Sequence, residues 1–494
     1  MRTLFIVCSV LFFELWSISV HAVPEYDEVE LSKLRNFLNQ ESAERGVRNF
    51  EQLGLSSLTN INWASVPGLQ FNSVTLKLEM IRWQSRKLSG NLDLSDFLEL
   101  KYLYLQFNEL KSINLKNSSA LVWADLYTND LFSLDVTTNP LLEYLRLGYN
   151  NISVLDLSNN KTLGFLCCTS NRFKILEVTD NNYLRTILCI GNLLHTLIVE
   201  NCEELETLHC DFNYLTSLNL HNLPNLQSFS CTANILTELS FHNCLSLDEV
   251  LCYDNEINSL DFSSLKQLTS VACERNQITS INFAGCENLT TLSCDNNLLD
   301  KLDISSSPNL STLSCKYNNL SFLTLPYRTP QLTNYSYMPQ NYVAIECDHD
   351  AIDLSDLYNI HDNISSYFWY YMNVLVTPLA SNEGRFAFDE SYIGKTFVCR
   401  VRNSILPELT MHYDVTFTNE TGARSPEATG LSIYASEKKI HVSVESSALV
   451  SIYSLQGELK SKRMVDAGHT VFPAESGAYL VVINDRASYK VIVR

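Results

Sequence analysis

Apolar residues recur through the middle of the chain with a period of 21 residues. Between positions 100 and 326 each period has the form Leu-x-x-Leu-x-Cys-x-x-Asn-x-Leu-x-x-Leu-x-Leu, with other apolar residues at some of the Leu and Cys positions. A fixed period of this length is typical of a solenoid, in which each repeat is one short unit stacked on the next. We predict one parallel strand per repeat, centred on Leu-x-Cys, and eleven stacked coils. At about 4.8 Å per strand, the stack is roughly 50 Å long.

An asparagine closes the strand segment of every repeat. Its side-chain amide is expected to satisfy backbone groups at the corner where the strand ends, in its own coil and the next, because buried backbone polar groups need partners. We therefore assign these residues a structural role. The eleven positions are Asn108, Asn129, Asn150, Asn171, Asn192, Asn213, Asn234, Asn255, Asn276, Asn297 and Asn318.

A cysteine lies three residues before the asparagine in eight consecutive repeats. These positions point into the coil, where a buried thiol behaves as a small apolar side chain. The column has no companion histidines and no tetrahedral ligand set, so we predict packing, with no metal and no cofactor. Cys202, Cys244 and Cys286 recur every 42 residues on a loop position and are predicted to be half-buried thiols. The column consists of Cys168, Cys189, Cys210, Cys231, Cys252, Cys273, Cys294 and Cys315.

Residues 289–304 carry the repeat in its complete form. This pattern resembles the leucine-rich repeat, and the 21-residue length with its cysteine column resembles the internalin-like repeats of bacterial surface proteins. The resemblance implies a mainly β fold whose main part, 100–326, is a right-handed solenoid of about eleven repeats. A coil this short has no room for a long helix, so its convex side is expected to carry short strands, 3₁₀ turns or extended segments.

The first residues predict an export signal. Arg2, the apolar stretch 4–13 and the small residues near 20–22 are typical of a cleaved secretory signal over 1–22. An uncleaved anchor is the alternative, although the apolar stretch is too short for a stable membrane span. No later segment is long and apolar enough to cross a membrane.

Residues 23–99 are expected to form an N-terminal cap, because an open solenoid end exposes its apolar interior. Apolar residues at helical spacing, among them Leu31, Leu34 and Phe37, predict a helix within 28–45. Alternation over 74–78 predicts a strand.

Residues 330–418 change to alternating aromatic segments in which Cys347, Trp369 and Cys399 follow in that order. This order resembles an immunoglobulin-like β-sandwich. The resemblance implies two packed sheets, and we expect a disulfide between Cys347 and Cys399, the one pair of cysteines for which we predict a bond.

The polar stretch 419–429 is predicted to be a linker, and 430–494 a second small β-sandwich. Its segments 452–457, 477–479 and 490–494 resemble the C-terminal sorting modules of Bacteroidetes proteins exported by type IX secretion. The resemblance implies passage through the outer-membrane secretion machinery, with surface attachment or release. A plain β-sandwich without a sorting role is the alternative.

The charge and the motif content of the chain argue against nucleic-acid binding, membrane binding and catalysis. The chain has 55 acidic and 35 basic residues, a formal net charge of −20, and no basic run. Nucleic acid and anionic membranes are therefore poor partners, since both bind through clustered Lys and Arg. No Gly-rich phosphate loop, Gly-x-Ser-x-Gly elbow or His-Glu-x-x-His motif occurs. We expect a protein that is not an enzyme.

Aromatic residues concentrate at outward strand positions of the first repeats, whereas Thr and Ser fill the same positions later. Exposed Tyr and Trp anchor protein interfaces and also stack on sugar rings. The alternative is that the rings pack on one another and stabilise the first coils. The candidate binding residues on the concave face are Tyr102, Tyr104, Phe107, Trp123, Asp125, Tyr127, Tyr144, Arg146, Tyr149 and Phe165.

These observations predict a secreted or bacterial cell-surface protein that recognises a macromolecule through its concave face. A protein, host or bacterial, is the leading partner class and a glycan is the second. A structural spacer with no specific ligand is the competing interpretation.

Overall fold

The computed structural model describes residues 26–348, 351–418, 432–436, 438–444, 447–454, 459–475, 477–483 and 487–493. The predicted export signal and the predicted linker lie outside these residues. The chain divides into two compact units. The first runs to Cys294 and also contains Asp303–Thr312 and Gln331–Thr333, and the second holds Asp295–Leu302, Leu313–Pro330 and the residues from Asn334 onward.

The first unit contains two helices, α1 (Glu28–Leu38) and α2 (Asn49–Gln52), a 3₁₀ turn at Trp63–Ser65, and many short strands. The strands are β1 Leu69–Phe71, β2 Leu78–Arg82, β3 Ser89–Asp93, β4 Tyr102–Tyr104, β5 Glu109–Asn114, β6 Trp123–Asp125, β7 Tyr144–Arg146, β8 Phe165–Cys167, β9 Ile175–Glu177, β10 Thr186–Leu188, β11 Thr196–Ile198, β12 Thr207–His209, β13 Ser228–Ser230, β14 Glu249–Leu251, β15 Ser259–Asp261, β16 Ser270–Ala272, β17 Ser280–Asn282 and β18 Thr291–Ser293. A further strand, β19 Thr312–Ser314, spans the boundary between the units.

Helix α1 begins at a capped N-terminus, where the Asp27 carboxylate accepts hydrogen bonds from the backbone N–H groups of Val29 and Glu30. Its apolar stripe, including Leu34 and Phe37, is buried. The predicted helix is therefore present within the expected segment, and it ends at Leu38. The chain turns there because Gln40 pairs its side-chain amide with the backbone of Asn91 in both directions, at 2.8 Å each.

The strand predicted over 74–78 is wrong. Oδ1 of Asn72 accepts hydrogen bonds from the backbone N–H groups of Val74 and Thr75 at 2.8 and 3.1 Å, and Leu76 has a φ of 54°. These residues form a turn, and β2 begins only at Leu78. The local hydrogen bonds of an asparagine override the alternating pattern.

The main sheet of the first unit has the strand order β1-β2-β4-β6-β7-β8-β10-β12-β13-β14-β16-β18. Strand β1 pairs antiparallel with β2, and the later pairs are parallel. Residues 21 apart are direct partners, as with Trp123 and Tyr144 or Phe165 and Thr186. The sequence period is therefore the sheet register, and the unit is a solenoid of leucine-rich-repeat type.

Short parallel pairs lie elsewhere in the coils. They are β3 with β5, β9 with β11, and β15 with β17. No long helix occurs in a coil among the described residues, in agreement with the short repeat.

Inward leucines and the eight cysteines of the column form the interior, and each of these cysteines is fully buried. Burial raises the pKa of the thiols, to about 12 for Cys252 and about 12 for Cys315. Cys210 also donates from its Sγ to the carbonyl of Ser230 at 3.4 Å. The thiols are placed where the packing interpretation puts them.

The residue before each of the eleven repeat asparagines has a left-handed backbone conformation. The eleven φ values from Phe107 to Tyr317 lie between 51° and 65°, and Gly191 is the one glycine among them. Left-handed residues cost about 1–2 kcal/mol each when they carry a side chain. The corner is therefore held by its hydrogen bonds and not by a preference of the residue type.

The second unit is built from strands in four further sheets and a two-stranded hairpin. The strands are β20 Asn334–Ser336, β21 Val343–Asp348, β22 Ala351–Asp353, β23 Asn359–Ile360, β24 Asn363–Ile364, β25 Ser366–Tyr371, β26 Val374–Val376, β27 Ala380–Asn382, β28 Arg385–Ala387, β29 Thr396–Arg402, β30 Thr410–Thr418, β31 Ser432–Ser436, β32 Lys439–Val444, β33 Ala448–Ser454, β34 Leu459–Val465, β35 Gly468–Pro473, β36 Gly477–Ile483 and β37 Ala487–Val493, with 3₁₀ turns at Ser355–Leu357 and Glu390–Tyr392.

A five-stranded sheet, β21-β30-β29-β25-β26, and a three-stranded sheet, β22-β28-β27, share an aromatic core. The buried Trp369 of β25 contacts Phe386 of β28 with ring centroids 5.1 Å apart, and Phe388 lies 5.1 Å from both Phe397 and Phe417. The remaining described strands form β31-β32-β35 and β34-β33-β36-β37, around a cluster that includes Val450 and Phe472.

The expected bond between Cys347 and Cys399 is not formed. Cys347 lies on β21 opposite Phe417 of β30, whereas Cys399 lies on β29 opposite Tyr413 of the same β30. A whole strand therefore separates the two cysteines within one sheet, and their partners are offset along it. A disulfide needs Cα atoms within about 7 Å, a distance that this arrangement does not offer.

Candidate partner-binding site

From β4 to β18, each strand of the main sheet turns its middle residue inward and its flanking residues outward. In β6, Ala124 is fully buried, while Trp123 before it is half-buried and faces outward. We call the surface formed by these outward residues of β2 to β18 the sheet face. It is the face that the sequence predicted to be concave and partner-binding, and the candidate residues lie on it or at its edge.

Four rings form a first stack on the sheet face: Tyr104, Trp123, Tyr144 and Phe165. The Trp123 and Tyr144 rings are 3.5 Å apart between centroids and 2° from parallel, and Tyr144 and Phe165 are 4.5 Å apart at 5°. Tyr104 meets Trp123 at 6.2 Å in a tilted contact. Since adjacent parallel strands are about 4.8 Å apart, in-register aromatic residues stack face to face. Tyr102, opposite Trp123 in register, remains 40% exposed.

A second group, the Tyr127 cluster, comprises Phe107, Tyr127, Tyr149 and Arg146. The Phe107 and Tyr149 rings meet Tyr127 edge-on at 5.7 and 5.2 Å. The Arg146 guanidinium lies 3.8 Å from the centroid of the Tyr127 ring, a cation–π contact. Phe107 is 48% and Tyr149 52% exposed, so this cluster reaches solvent.

Gly148 makes the Tyr127 cluster possible, and the sequence reasoning missed it. A Cβ on this residue would lie 2.6 Å from Cε2 of Tyr127. The absent side chain leaves the space in which the Tyr127 ring lies over the next coil. A glycine two residues after the strand, where other repeats have side chains, was the available signal.

An ion pair lies between the two aromatic groups. Nη1 of Arg146 is 3.3 Å from Oδ2 of Asp125, and Oδ1 of Asp125 accepts a hydrogen bond from the Tyr127 N–H at 3.2 Å. Burial raises the pKa of Asp125, although the Tyr127 N–H and Arg146 act in the opposite direction. Within the described part of the chain, Nε and Nη2 of Arg146 make no hydrogen bond. Nε1 of Trp123 is buried and likewise without a described partner.

The rings do contact one another, as the self-packing interpretation expects. Ring–ring packing and partner binding are compatible, because the stacked rings keep their edges towards solvent. The faces of Tyr144 are both covered, by Trp123 and by Phe165. A partner therefore meets ring edges over most of the first stack.

Beyond Phe165 the sheet face changes character. Thr186, Thr207 and Ser228 take the positions of the stacked rings. Farther along, Asp211 accepts hydrogen bonds from the backbone N–H and hydroxyl of Thr232 at 2.7 and 2.8 Å and from the hydroxyl of Ser230. These three positions are thus small and polar, and the Asp211 carboxylate is satisfied internally.

The asparagines named in the sequence form a ladder. Nδ2 of Asn213 donates to the carbonyls of Cys189 in the preceding coil and Cys210 in its own, at 3.1 and 3.0 Å, while Oδ1 accepts from the N–H of Leu194 at 3.0 Å. Asn129 and Asn234 make the same set. The neighbour reached is the preceding coil and not the next.

A second column of buried residues also links neighbouring coils by hydrogen bonds, and the sequence did not predict it. Cys202, Cys244 and Cys286 are fully buried, contrary to the half-buried prediction. Cys202 and Cys244 donate from Sγ to carbonyls of the preceding coil, those of Val178 and Leu220, at 3.1 and 2.9 Å. Asn139 occupies the same position and donates to Leu115 and Ser118. The 21-residue spacing was visible, but the changing residue type concealed it.

No group of three or more His, Cys, Asp or Glu side chains in the described ranges is arranged to hold a metal ion. Over the same residues, no helix has the length and apolar character needed to cross a membrane.

No protein-family model matches the chain, and no curated protein matches it. Several solved structures are similar. The functional domain of InlJ from Listeria monocytogenes, which includes a cysteine ladder, is 23% identical with a TM-score of 0.44, over 66% of this chain and 83% of that one. YopM from Yersinia enterocolitica is 21% identical with a TM-score of 0.40, over 52% and 64%. The leucine-rich-repeat domain of APL1 is 20% identical with a TM-score of 0.41, over 51% and 68%.

Proposed function

We propose that this chain is a non-enzymatic binding protein of the bacterial cell surface or its surroundings, and that it recognises a protein partner through the sheet face. The observation that carries the proposal is the pair of aromatic groups flanking Asp125 and Arg146. Tyr, Trp and Arg are the residue types that dominate binding energy at protein interfaces. Here the aromatic groups and the ion pair lie on or just after four adjacent strands, β4, β6, β7 and β8.

The site is rigid before a partner arrives. Trp123 and Tyr144 are held by stacking, and Arg146 by Asp125 and Tyr127. Side chains already held in place lose little conformational freedom on binding, so more of the contact energy contributes to affinity.

A protein partner fits the ring geometry better than a glycan. A sugar ring packs its C–H groups against an open aromatic face, and both faces of Tyr144 are occupied. Ring edges carry partial positive charge and favour carbonyl oxygens and other ring faces. Peptide groups and aromatic side chains supply both.

Export is the second part of the proposal. The segment 1–22 has the form of a secretory signal, and the last residues resemble a type IX sorting module. We propose an immunoglobulin-like sandwich for 330–418, supported by the two sheets around Trp369. The buried thiols are compatible with an oxidising exterior, because burial keeps them protonated and out of reach of oxidants.

The test replaces Tyr104, Trp123 and Tyr127 together by Ala in the full chain. Binding to cell-surface proteins should weaken by about thirtyfold or more, because the loss of a single anchoring ring costs about 2 kcal/mol, which is about thirtyfold in affinity. Pull-down from surface-protein extracts followed by titration of the captured protein measures the effect, and melting checks the fold.

The matched control is Thr186, Thr207 and Ser228 replaced together by Ala, which changes the sheet face beyond the rings. It should bind as the wild type does. Equal capture by both variants removes the proposed site. Saturable binding on a glycan array with no captured protein favours the glycan alternative, and the absence of any saturable binding favours a spacer.

A further inference from the structure

Arg146 occupies an unusual position among the charged residues of the sheet face. On β2, β4, β6, β7 and β8 one register column contains Arg82, Tyr104, Asp125, Arg146 and Cys167. Its charges are two positive and one negative, although the whole chain has a net charge of −20. Within this column the positive side chains therefore outnumber the negative one.

The guanidinium of Arg146 is held in place, but only one of its three nitrogen atoms makes a described hydrogen bond. Its Cζ lies 3.8 Å from the centroid of the Tyr127 ring, and Nη1 is paired with Asp125 at 3.3 Å. Nε and Nη2 make no hydrogen bond among the described residues, and the side chain is 30% exposed. The described contacts of Asp125 go to the Tyr127 N–H and to Nη1, and none goes to Nε or Nη2.

A partner that covers the neighbouring rings also removes water from Arg146. Charged N–H groups that lose water without gaining an acceptor weaken a complex strongly. A partner that binds well must therefore bring an acceptor to this point. A carboxylate fits best, because its two oxygens match the planar fork of a guanidinium and carry the opposite charge.

We propose that Arg146 receives the carboxylate of an Asp or Glu side chain of the protein partner, and that apolar or aromatic residues beside this acid pack on the first stack and the Tyr127 cluster. This inference rests on the proposed function and specifies its ligand chemistry. Asp125 and Tyr127 act as positioning residues, because they hold the guanidinium and do not contact the partner's acid.

The experiment selects peptides from a random phage-displayed library on the full-length chain. The peptides recovered are expected to pair an acidic residue with aromatic or apolar neighbours. Replacing that acid by its amide should weaken binding to the wild type by about tenfold or more. The same peptide change should have no effect on the Asp125→Asn/Arg146→Gln variant, which removes both charges and leaves no buried carboxylate unpaired.

Two further variants complete the design. Arg146→Lys keeps the charge but loses the fork, and should retain only part of the affinity. Arg172→Gln changes an exposed arginine bound to Asn151 on a neighbouring coil, and should bind as the wild type does. If the double variant does not fold, the acid-to-amide peptide pair on the wild type decides alone.

The outcomes separate the two proposals. Selected peptides that depend on Tyr104, Trp123 and Tyr127 but lack an acid, or bind the double variant unchanged, overturn the role of Arg146 and leave the proposed function standing. If the library yields no peptide that depends on these rings, both proposals fail.

Discussion

At the scale of single residues, one asparagine per coil connects neighbouring repeats through its side-chain hydrogen bonds. Asn213 connects three backbone groups of two coils, and it does so beside a left-handed residue, Phe212, with a φ of 53°. The side chain replaces the hydrogen bonds that the backbone loses when the strand turns. Position and period alone indicated this role.

Removing one ladder asparagine should be costly. Asn213→Ala leaves the carbonyls of Cys189 and Cys210 without this donor and the Leu194 N–H without an acceptor. Each buried unpaired group costs about 1–3 kcal/mol, so the free energy of unfolding should fall by roughly 3 kcal/mol or more. Urea unfolding followed by circular dichroism measures the change.

Asn258→Ala is the control, because that side chain is exposed and makes one long contact of 3.4 Å with the Thr237 carbonyl. It should change the unfolding free energy by less than about 0.5 kcal/mol. Equal effects of the two substitutions contradict the ladder.

A hydrogen-bonding column is harder to recognise in the sequence when its residue type changes from repeat to repeat. Asn139, Cys202 and Cys244 are separated by multiples of 21 residues, in phase with the repeat. An amide and a thiol both donate to a carbonyl of the preceding coil, so different residue types make the same hydrogen bond. A search for identical residues does not find such a column.

At the scale of elements, in-register parallel pairing produces the candidate site. The strands bring Trp123, Tyr144 and Phe165 to the same height, and the strand spacing places their rings in contact. The sequence predicted which positions face outward. It did not predict the rotamers, which decide that ring edges and not faces meet the solvent.

Gly148 tests this arrangement. In Gly148→Ala the new Cβ collides with the Tyr127 ring, which has to swing away from Arg146. We expect partner binding to weaken about tenfold while the melting temperature changes little, because a surface ring pair contributes about 0.5–1.5 kcal/mol. Binding titration and near-ultraviolet circular dichroism follow the two effects.

Gly164→Ala is a matched control on the next coil. A Cβ there meets the carbonyl oxygens of Tyr183 and Glu143 at 3.6 and 3.7 Å, which is ordinary contact. This variant should bind normally. Wild-type affinity in Gly148→Ala as well contradicts the role of the Tyr127 cluster.

Elements that depend on distant contacts were harder to predict. The cap helix stops at Leu38 because Gln40 binds Asn91, a residue far away in sequence. The order of Cys347, Trp369 and Cys399 gave no information on which strands would be neighbours, and β30 lies between the two cysteines. Strand order within a sheet is a tertiary property that spacing does not determine.

At the scale of the whole molecule, a line of buried thiols runs through an acidic chain. The sequence established the period, the inward positions and the solenoid, since all three follow from one repeated pattern. Burial then determines thiol chemistry: Cys252 has its pKa raised from 9.0 to about 12.

This predicts a sensitivity to alkali. Below about pH 9 the thiols are protonated in the folded and the unfolded chain, so stability does not depend on them. Between about pH 9 and pH 12 the unfolded chain loses these protons first, and the folded state loses stability as pH rises. Melting temperatures across this range should fall steeply.

Cys252→Val removes one such thiol and should make the fall shallower, because one fewer proton is released on unfolding. A melting temperature that stays constant above pH 9, or a slope unchanged by this substitution, contradicts the assignment of raised thiol pKa values to the column.

The central claim is that the aromatic end of the sheet face meets a protein. A photo-crosslinking amino acid at Tyr149, which is 52% exposed in the Tyr127 cluster, tests it directly against the same group at Tyr183, which is 66% exposed on a turn outside the sheet face. With surface-protein extracts, we predict one saturable crosslinked partner at position 149, removed by excess unlabelled chain, and none at 183. Equal labelling at both positions, or no competable product at 149, would contradict the account.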